Sequence, residues 1–178
     1  MKKLVSILLI VVMLSMLSVN VFAKDVYDKN SGKTYTVYQG TIYIDGDKML
    51  SKYGEALIDE NDRTLVPIRA FSESMWEVDV EWDNNTQTAI ITEMGSCKGP
   101  GGYRIKIKIG SKTINRSFGI VNNSTLKYSE TDKQKPIYMD TTARLINDRT
   151  YIPLRFAAEA FGRKVIWDEK TKDITIKY

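Results

Sequence analysis

Three carboxylates alternate along one predicted strand and are the residues best spaced for acid–base chemistry: Asp79, Glu81 and Asp83. Paired carboxylates can hydrolyse glycosidic bonds, and strand residues two apart place their side chains roughly 7 Å apart. When this segment recurs later in the chain, Lys164 and Ile166 replace the first two acids. We therefore interpret the acids as a solvated strand face, with a small carboxylate-dependent hydrolase of cell-wall polysaccharide as the alternative.

The residue types that are missing exclude most other chemistry. The 178 residues include no histidine and a single cysteine, Cys97. Without imidazole, Ser-His-Asp and Cys-His catalysis are excluded, and so are zinc sites built from several Cys and His. One cysteine cannot form an intramolecular disulfide. Carboxylate chemistry, a calcium site built from carbonyl and carboxylate oxygens, and no chemistry at all remain open. Of these we expect no chemistry: a protein that is not an enzyme and that has no cofactor, no metal site and no catalytic residue.

Two Arg–Glu pairs have the four-residue spacing that joins side chains on a helix: Arg69 with Glu73, and Arg155 with Glu159. Such a pair could bind an anion. It could also be a structural ion pair that fixes the helix to the following hairpin, through Asp83 or Asp168. Because the pair occurs twice, we favour the structural interpretation.

The candidate ligand or partner surface consists of one tryptophan and three alternating basic residues: Trp76, Arg104, Lys106 and Lys108. The basic residues could contact an anionic wall polymer. They could equally pair across strands with Asp79 and Glu81, or protect a sheet edge from aggregation. Trp76 has no aromatic counterpart where the segment recurs, and it is the better candidate for an exposed contact.

Two further tryptophans, Trp82 and Trp167, occupy matching positions in the recurring segment. Exposed, they would be platforms on which sugar rings stack. However, they alternate in phase with Val80 and Val165, which places them on the apolar face of their strands. We therefore predict that both tryptophans anchor the core.

A repeat explains why these residues occur in pairs. The sequence Asn61-Asp62-Arg63-Thr64 recurs 86 residues later as Asn147-Asp148-Arg149-Thr150, and the match continues to Ile91 and Ile176. We call residues 61–91 the first copy and residues 147–176 the second copy. Their shared structural motif comprises Arg63, Pro67, Arg69, Glu73, Trp82 and Asp83 in the first copy, and Arg149, Pro153, Arg155, Glu159, Trp167 and Asp168 in the second.

Each copy predicts the same elements in the same order. An Asx-rich turn and a short β-prone run lead to a proline, which favours a helix start. Two alternating runs joined by a turn then predict a hairpin. The fold class is therefore α+β, with two pseudo-symmetric repeats. Each repeat is a mainly antiparallel sheet (hairpin–helix–hairpin) with one helix packed on it.

The amino terminus reads as an export signal. A basic start precedes an apolar run from Leu4 to Leu17, and small residues stand three and one positions before Lys24. Cleavage would leave 24 basic and 22 acidic residues, a formal charge of +2. We expect a secreted, extracellular protein that is either free or associated with the cell wall. We also expect that it binds no nucleic acid and that it is not in the membrane after cleavage.

The predicted organisation has a signal peptide, two repeats and the segments between them. These are residues 1–23 (signal peptide), 24–39 (mature N-terminal segment, frayed at its start), 40–94 (repeat one), 95–102 (Gly-rich linker) and 103–178 (repeat two, with a loop insertion at 124–135).

The repeated motif resembles the copper amine oxidase N-terminal-like domain, also called the stalk domain. In both copies the motif has the order Asn-Asp-Arg-Thr, Pro-(Ile/Leu)-Arg, Glu and Val-x-Trp-Asp. The resemblance covers about residues 40–178. It implies a bacterial, non-catalytic module that serves as an extracellular or cell-surface binding or spacer unit, with cell-wall polymer or another envelope protein as partner. The oxidase's copper and its quinone cofactor lie in a separate catalytic domain.

Overall fold

The computed structural model describes residues 24–75, 78–94, 101–122, 124–125 and 127–178. The predicted signal peptide, Trp76 and Cys97 lie outside these residues. Within them the chain is mostly β-sheet with two short α-helices, and neither helix is long and apolar enough to cross a membrane. Strands are numbered β1 to β16, and helices α1 and α2, in chain order.

The first sheet has six strands and joins the two copies. Its strands, in spatial order, are β1 (Asp25–Tyr27), β2 (Thr34–Val37), β5 (Leu57–Ile58), β6 (Thr64–Pro67), β14 (Arg149–Pro153) and β13 (Arg144–Ile146). Val66 faces its own counterpart Ile152 where β6 and β14 run antiparallel, and Pro67 faces Tyr151. Matching strands of the two copies therefore meet at matching residues.

The second sheet carries the hairpin of the first copy. Its strands, in spatial order, are β11 (Lys127–Glu130), β10 (Thr113–Asn122), β9 (Gly101–Lys108), β8 (Thr88–Glu93) and β7 (Val78–Asp83), and β12 (Lys135–Tyr138) also pairs with β10. The pairing of β7 with β8 confirms the predicted hairpin. All the pairings in this sheet are antiparallel.

The third sheet carries the hairpin of the second copy. Its strands, in spatial order, are β15 (Lys164–Trp167), β16 (Ile174–Lys177), β3 (Ile42–Ile44) and β4 (Asp47–Lys48). Both predicted hairpins in this sheet, β15–β16 and β3–β4, are confirmed. The central pair β16–β3 is parallel, so the end of the chain pairs with its amino-terminal third.

Each helix follows a proline that ends the preceding strand. They are α1 (Ile68–Ser74) and α2 (Leu154–Ala160). Pro67 has φ −58° and stands just before α1, so its fixed φ presets the direction of the first turn. Each helix is seven residues long, which is about two turns. Phe71 of α1 and Phe161 after α2 lie in the core with ring centroids 6.4 Å apart.

Two segments predicted to lack regular structure contain strands. The frayed start of the mature N-terminal segment contains β1, which pairs with β2. The predicted loop at 124–135 contains β11, which pairs with β10. In both cases the partner strand is a near neighbour in sequence, with Tyr27 facing Thr34 and Asn122 facing Lys127, so each segment folds back as a local hairpin that its polar composition did not indicate.

The glycines that end the predicted linker begin β9 instead. A Cβ on Gly102 would lie 2.4 Å from the carbonyl oxygen of Glu93, and one on Gly101 would lie 2.6 Å from the Phe118 ring. These glycines therefore allow close packing in the sheet. Composition alone does not distinguish close packing from flexibility.

Candidate functional site

Trp82 and Trp167 are exposed, so the prediction that they anchor the core is wrong. Their side chains are 38% and 41% exposed, whereas Val80 and Val165 pack against the core. β7 and β15 are the outer strands of their sheets. Each tryptophan lies near the turn end of its strand and lines a groove beside the start of a helix, and there the alternation of apolar residues does not predict burial.

Trp82 lines the larger of two related grooves, with a volume of about 740 Å³. Residues 67–69, where α1 begins, form another part of its lining. The rest includes residues 148–150, where the turn before β14 ends and β14 begins. We call this the Trp82 groove, and its wall combines a helix start and a hairpin of the first copy with a turn of the second.

Trp167 lines a groove made from the counterparts of those parts. Its lining includes residues 153–155 at the start of α2 and residues 62–64, where the turn before β6 ends and β6 begins. Its volume is about 250 Å³. This Trp167 groove thus takes its helix and hairpin from the second copy and its turn from the first.

The matching arginines of the two turns have different environments. Arg63 donates from Nε and Nη2 to one carboxylate oxygen of Asp140, at 2.8 and 2.6 Å. That hydrogen bonding lowers the pKa of Asp140. Arg149, in the Trp82 groove, has no ion pair within the described ranges. Only the Trp82 groove therefore has a turn arginine free to meet a ligand.

The predicted ion pair between Arg69 and Glu73 does not form. Glu73 accepts a hydrogen bond from the Tyr53 hydroxyl and pairs with Lys52 at 3.2 Å. The hydrogen bond from Tyr53 is the main cause of the lowered pKa of Glu73. Both partners come from a short 3-10 helix, Ser51–Tyr53, which contacts α1 and holds the carboxylate in place of Arg69.

The same prediction is wrong for the second copy. Neither Arg155 nor Glu159 has an ion pair in the part of the chain that the structure describes. The aspartates expected to join helix to hairpin cap their own turns instead. Asp83 and Asp168 each accept from the backbone amide two residues on, at 2.9 and 2.8 Å.

The alternating acids do not form a catalytic arrangement. Asp79 and Glu81 are exposed, and neither lines the Trp82 groove or the Trp167 groove. Glu81 pairs with Arg104 at 3.8 Å, one of the cross-strand pairings that the sequence allows. Among the described residues, no group of three or more Asp, Glu or Cys side chains is placed to hold a metal ion.

Comparison with known proteins identifies the family. The model of the copper amine oxidase N-terminal domain family matches residues 43–176. The chain belongs to this family. The resemblance inferred from the repeated motif is thereby confirmed. No curated protein and no solved structure matches the chain.

This family is a non-catalytic module, separate from the oxidase active site. Copper in biological sites prefers imidazole and thiolate ligands. The chain has no histidine, and its one cysteine, Cys97, cannot supply a ligand set alone. The residues of this chain therefore do not fit a copper site, and no step of a redox reaction follows from them.

The candidate basic surface divides into two parts. Arg104 is half-buried, donates to Thr92 Oγ1 at 2.8 Å and stacks 4.1 Å from the Tyr128 ring centroid. Lys106 and Lys108 line a separate hollow of about 370 Å³. The three residues thus do not act as one surface. Trp76, the fourth candidate, lies outside the described residues.

Two buried aspartates hold the turns of the grooves. Asp59 accepts from the amides of Asn61 and Arg63, both at 2.9 Å, and lies in the Asx-rich stretch predicted to turn. Asp28 accepts from the amide of Asn147 at 3.1 Å, 119 residues along the chain. Sequence reasoning missed Asp28 because no local pattern links residues so far apart.

Proposed function

We propose that this chain is a secreted, non-catalytic module that binds glycan at the cell surface through the Trp82 groove and the Trp167 groove. The observation that supports it is the exposure of two tryptophans at matching places, each beside a groove. An exposed indole offers a flat apolar face on which the apolar side of a sugar ring can stack. The Trp82 N–H already donates to Asn84 Oδ1 at 2.7 Å, which fixes the orientation of that face. A pure spacer would have no use for this exposure.

The proposal includes two pseudo-symmetric, stalk-type repeats, residues 40–94 and 103–178. The register of β6 against β14 supports it, because Val66 faces its counterpart Ile152. The swapped composition of the two grooves supports it as well. Two related sites on one chain would raise the avidity for a polymer that reaches both.

A cell-surface location follows from the export signal read in residues 1–23. A wall polysaccharide is then the ligand that a protein outside the membrane meets in excess. It also presents many copies of one sugar, as two related grooves require. The membership of a non-catalytic family supports binding rather than turnover.

The test is affinity electrophoresis of the full chain through gels that contain cell-wall polysaccharide. Trp82→Ala and Trp167→Ala are each expected to weaken binding by about tenfold, because an anchoring aromatic supplies much of the energy of a small site. Tyr138→Ala is the matched control, since Tyr138 is 76% exposed and lines neither groove. Unretarded migration of the wild type in every glycan gel would contradict the proposal and leave a spacer role.

A further inference from the structure

The arginines that have no partner within the chain all lie at the two grooves. The structure describes eight arginines, and five of them form ion pairs, hydrogen bonds or ring contacts: Arg63, Arg104, Arg116, Arg144 and Arg163. The other three have no such side-chain contact in the described part of the chain, and all three are exposed. Arg69 and Arg149 line the Trp82 groove, and Arg155 lines the Trp167 groove.

The pairing of β6 with β14 places Arg69 and Arg149 at one site. Pro67, which precedes α1, faces Tyr151 across the strand pair. A Cβ on Gly54 would lie 3.5 Å from Arg149 Nη1 and 3.4 Å from Pro67 Cγ. Gly54 has φ 124°, where glycine is favoured, so this backbone leaves room for a guanidinium beside the start of α1.

The charge of the Trp82 groove is incompletely balanced. Its lining contains three cationic side chains, from Lys52, Arg69 and Arg149, and one carboxylate, Asp148. Lys52 is paired with Glu73 at 3.2 Å, so the excess charge lies on the two arginines. A guanidinium presents planar, parallel donors that match a carboxylate, and Trp82 adds an aromatic face in the same groove.

We propose that the Trp82 groove binds a uronic acid residue of an acidic polysaccharide, with the sugar ring on Trp82 and the carboxylate between Arg69 and Arg149. This deepens, and rests on, the proposed glycan-binding function. A polyol phosphate chain would satisfy the arginines but has no ring to stack on the indole. The presence of both features in one groove therefore favours the uronate.

The Trp167 groove differs in both respects. Its turn arginine, Arg63, is neutralised by Asp140 at 2.6 Å. The Trp167 ring already has Tyr38 at 6.2 Å and the Lys172 ammonium at 5.7 Å. The Trp167 groove therefore supplies a matched control within the same molecule.

The test is isothermal titration calorimetry of the full chain with oligogalacturonate, its carboxyl-reduced galactan form and poly(glycerol phosphate). Oligogalacturonate is expected to bind at least about tenfold more tightly than the reduced form, and more weakly as salt rises. Arg69→Gln and Arg149→Gln should each weaken uronate binding by about tenfold, with partial recovery in Arg149→Lys. The control Arg155→Gln should change it by less than about twofold.

The outcomes separate the two proposals. If Trp82→Ala weakens binding of both glycans while Arg69→Gln and Arg149→Gln bind oligogalacturonate like the wild type, the uronate inference fails and the glycan-binding function stands. Tight binding of poly(glycerol phosphate) that is unchanged in Trp82→Ala would replace the uronate with a polyphosphate ligand and overturn the inference. If neither glycan binds, the uronate inference fails, and the gels that contain cell-wall polysaccharide decide whether the glycan-binding function stands.

Discussion

The Trp82 groove and the Trp167 groove are built from matching parts and differ in charge. Each combines a helix start and a hairpin of one copy with the turn of the other. In the Trp82 groove the turn arginine, Arg149, has no ion pair within the described residues, whereas its counterpart Arg63 is held by Asp140. Asp140 lies outside the repeated motif, so the difference comes from the chain around the copies.

The turns themselves show the same division. The first is held by Asp59, two residues before Asn61, and the second by Asp28 in the amino-terminal segment. The two segments that match in sequence therefore have similar turns, while the contacts that distinguish these turns come from residues outside the matching segments. The cores also differ, because Phe71 of α1 corresponds to Ala157 of α2.

The largest effect is expected from Phe71→Ala. Phe71 is fully buried, and its removal leaves a cavity that the surrounding sheets cannot fill, which costs about 4 kcal/mol. Ala157→Gly at the matching site should cost about 1 kcal/mol. Urea denaturation of both variants measures the difference. Equal losses in the free energy of unfolding would show that the two helices contribute alike and that the difference in size between Phe71 and Ala157 does not matter.

A smaller effect is expected from Asp28→Ala. Asp28 is buried and accepts from the amide of Asn147, so its loss leaves that donor unsatisfied and costs about 2 kcal/mol. Hydrogen exchange should accelerate at Asn147, with the turn at Asn61 protected as before. Asp25→Ala is the control, since Asp25 is an exposed residue of the same segment. Unchanged exchange at Asn147 would argue against a docked amino terminus.

The smallest effect is an acid dependence at Glu60, the residue that directly precedes the first copy. Hydrogen bonding from Arg144 lowers the pKa of Glu60 from 4.5 to about 2, and the matching position before the second copy is Ile146. A depressed carboxyl pKa stabilises the fold above pH 4.5 and loses that contribution as pH falls towards about 2. Glu60→Gln should therefore lose less stability than the wild type across this window. The free energy of unfolding of both proteins is measured by urea denaturation at a series of pH values. If the two curves against pH are parallel, Glu60 does not contribute to the acid dependence.

Sequence reasoning succeeded where the interactions are local. The alternation of β7 and the turn at residues 84–87 predicted a hairpin that the structure contains, because both signals lie within a dozen residues. It failed for Trp82, whose exposed side chain lines a groove formed with the start of α1 and with residues 148–150, which are distant in sequence. It also failed for Glu73, whose partners Tyr53 and Lys52 come from a different element.

The sequence by itself determined which chemistry is absent, where the motif repeats and which family the chain belongs to. Composition, spacing and the order of residues carry that information without any contact. Only the tertiary structure decided which tryptophans are exposed, which arginines lack partners and which copy supplies each wall of a groove. These depend on contacts between distant residues, such as Arg63 with Asp140 across 77 positions. Side-chain charge and burial are set by such neighbours, and no local pattern specifies them.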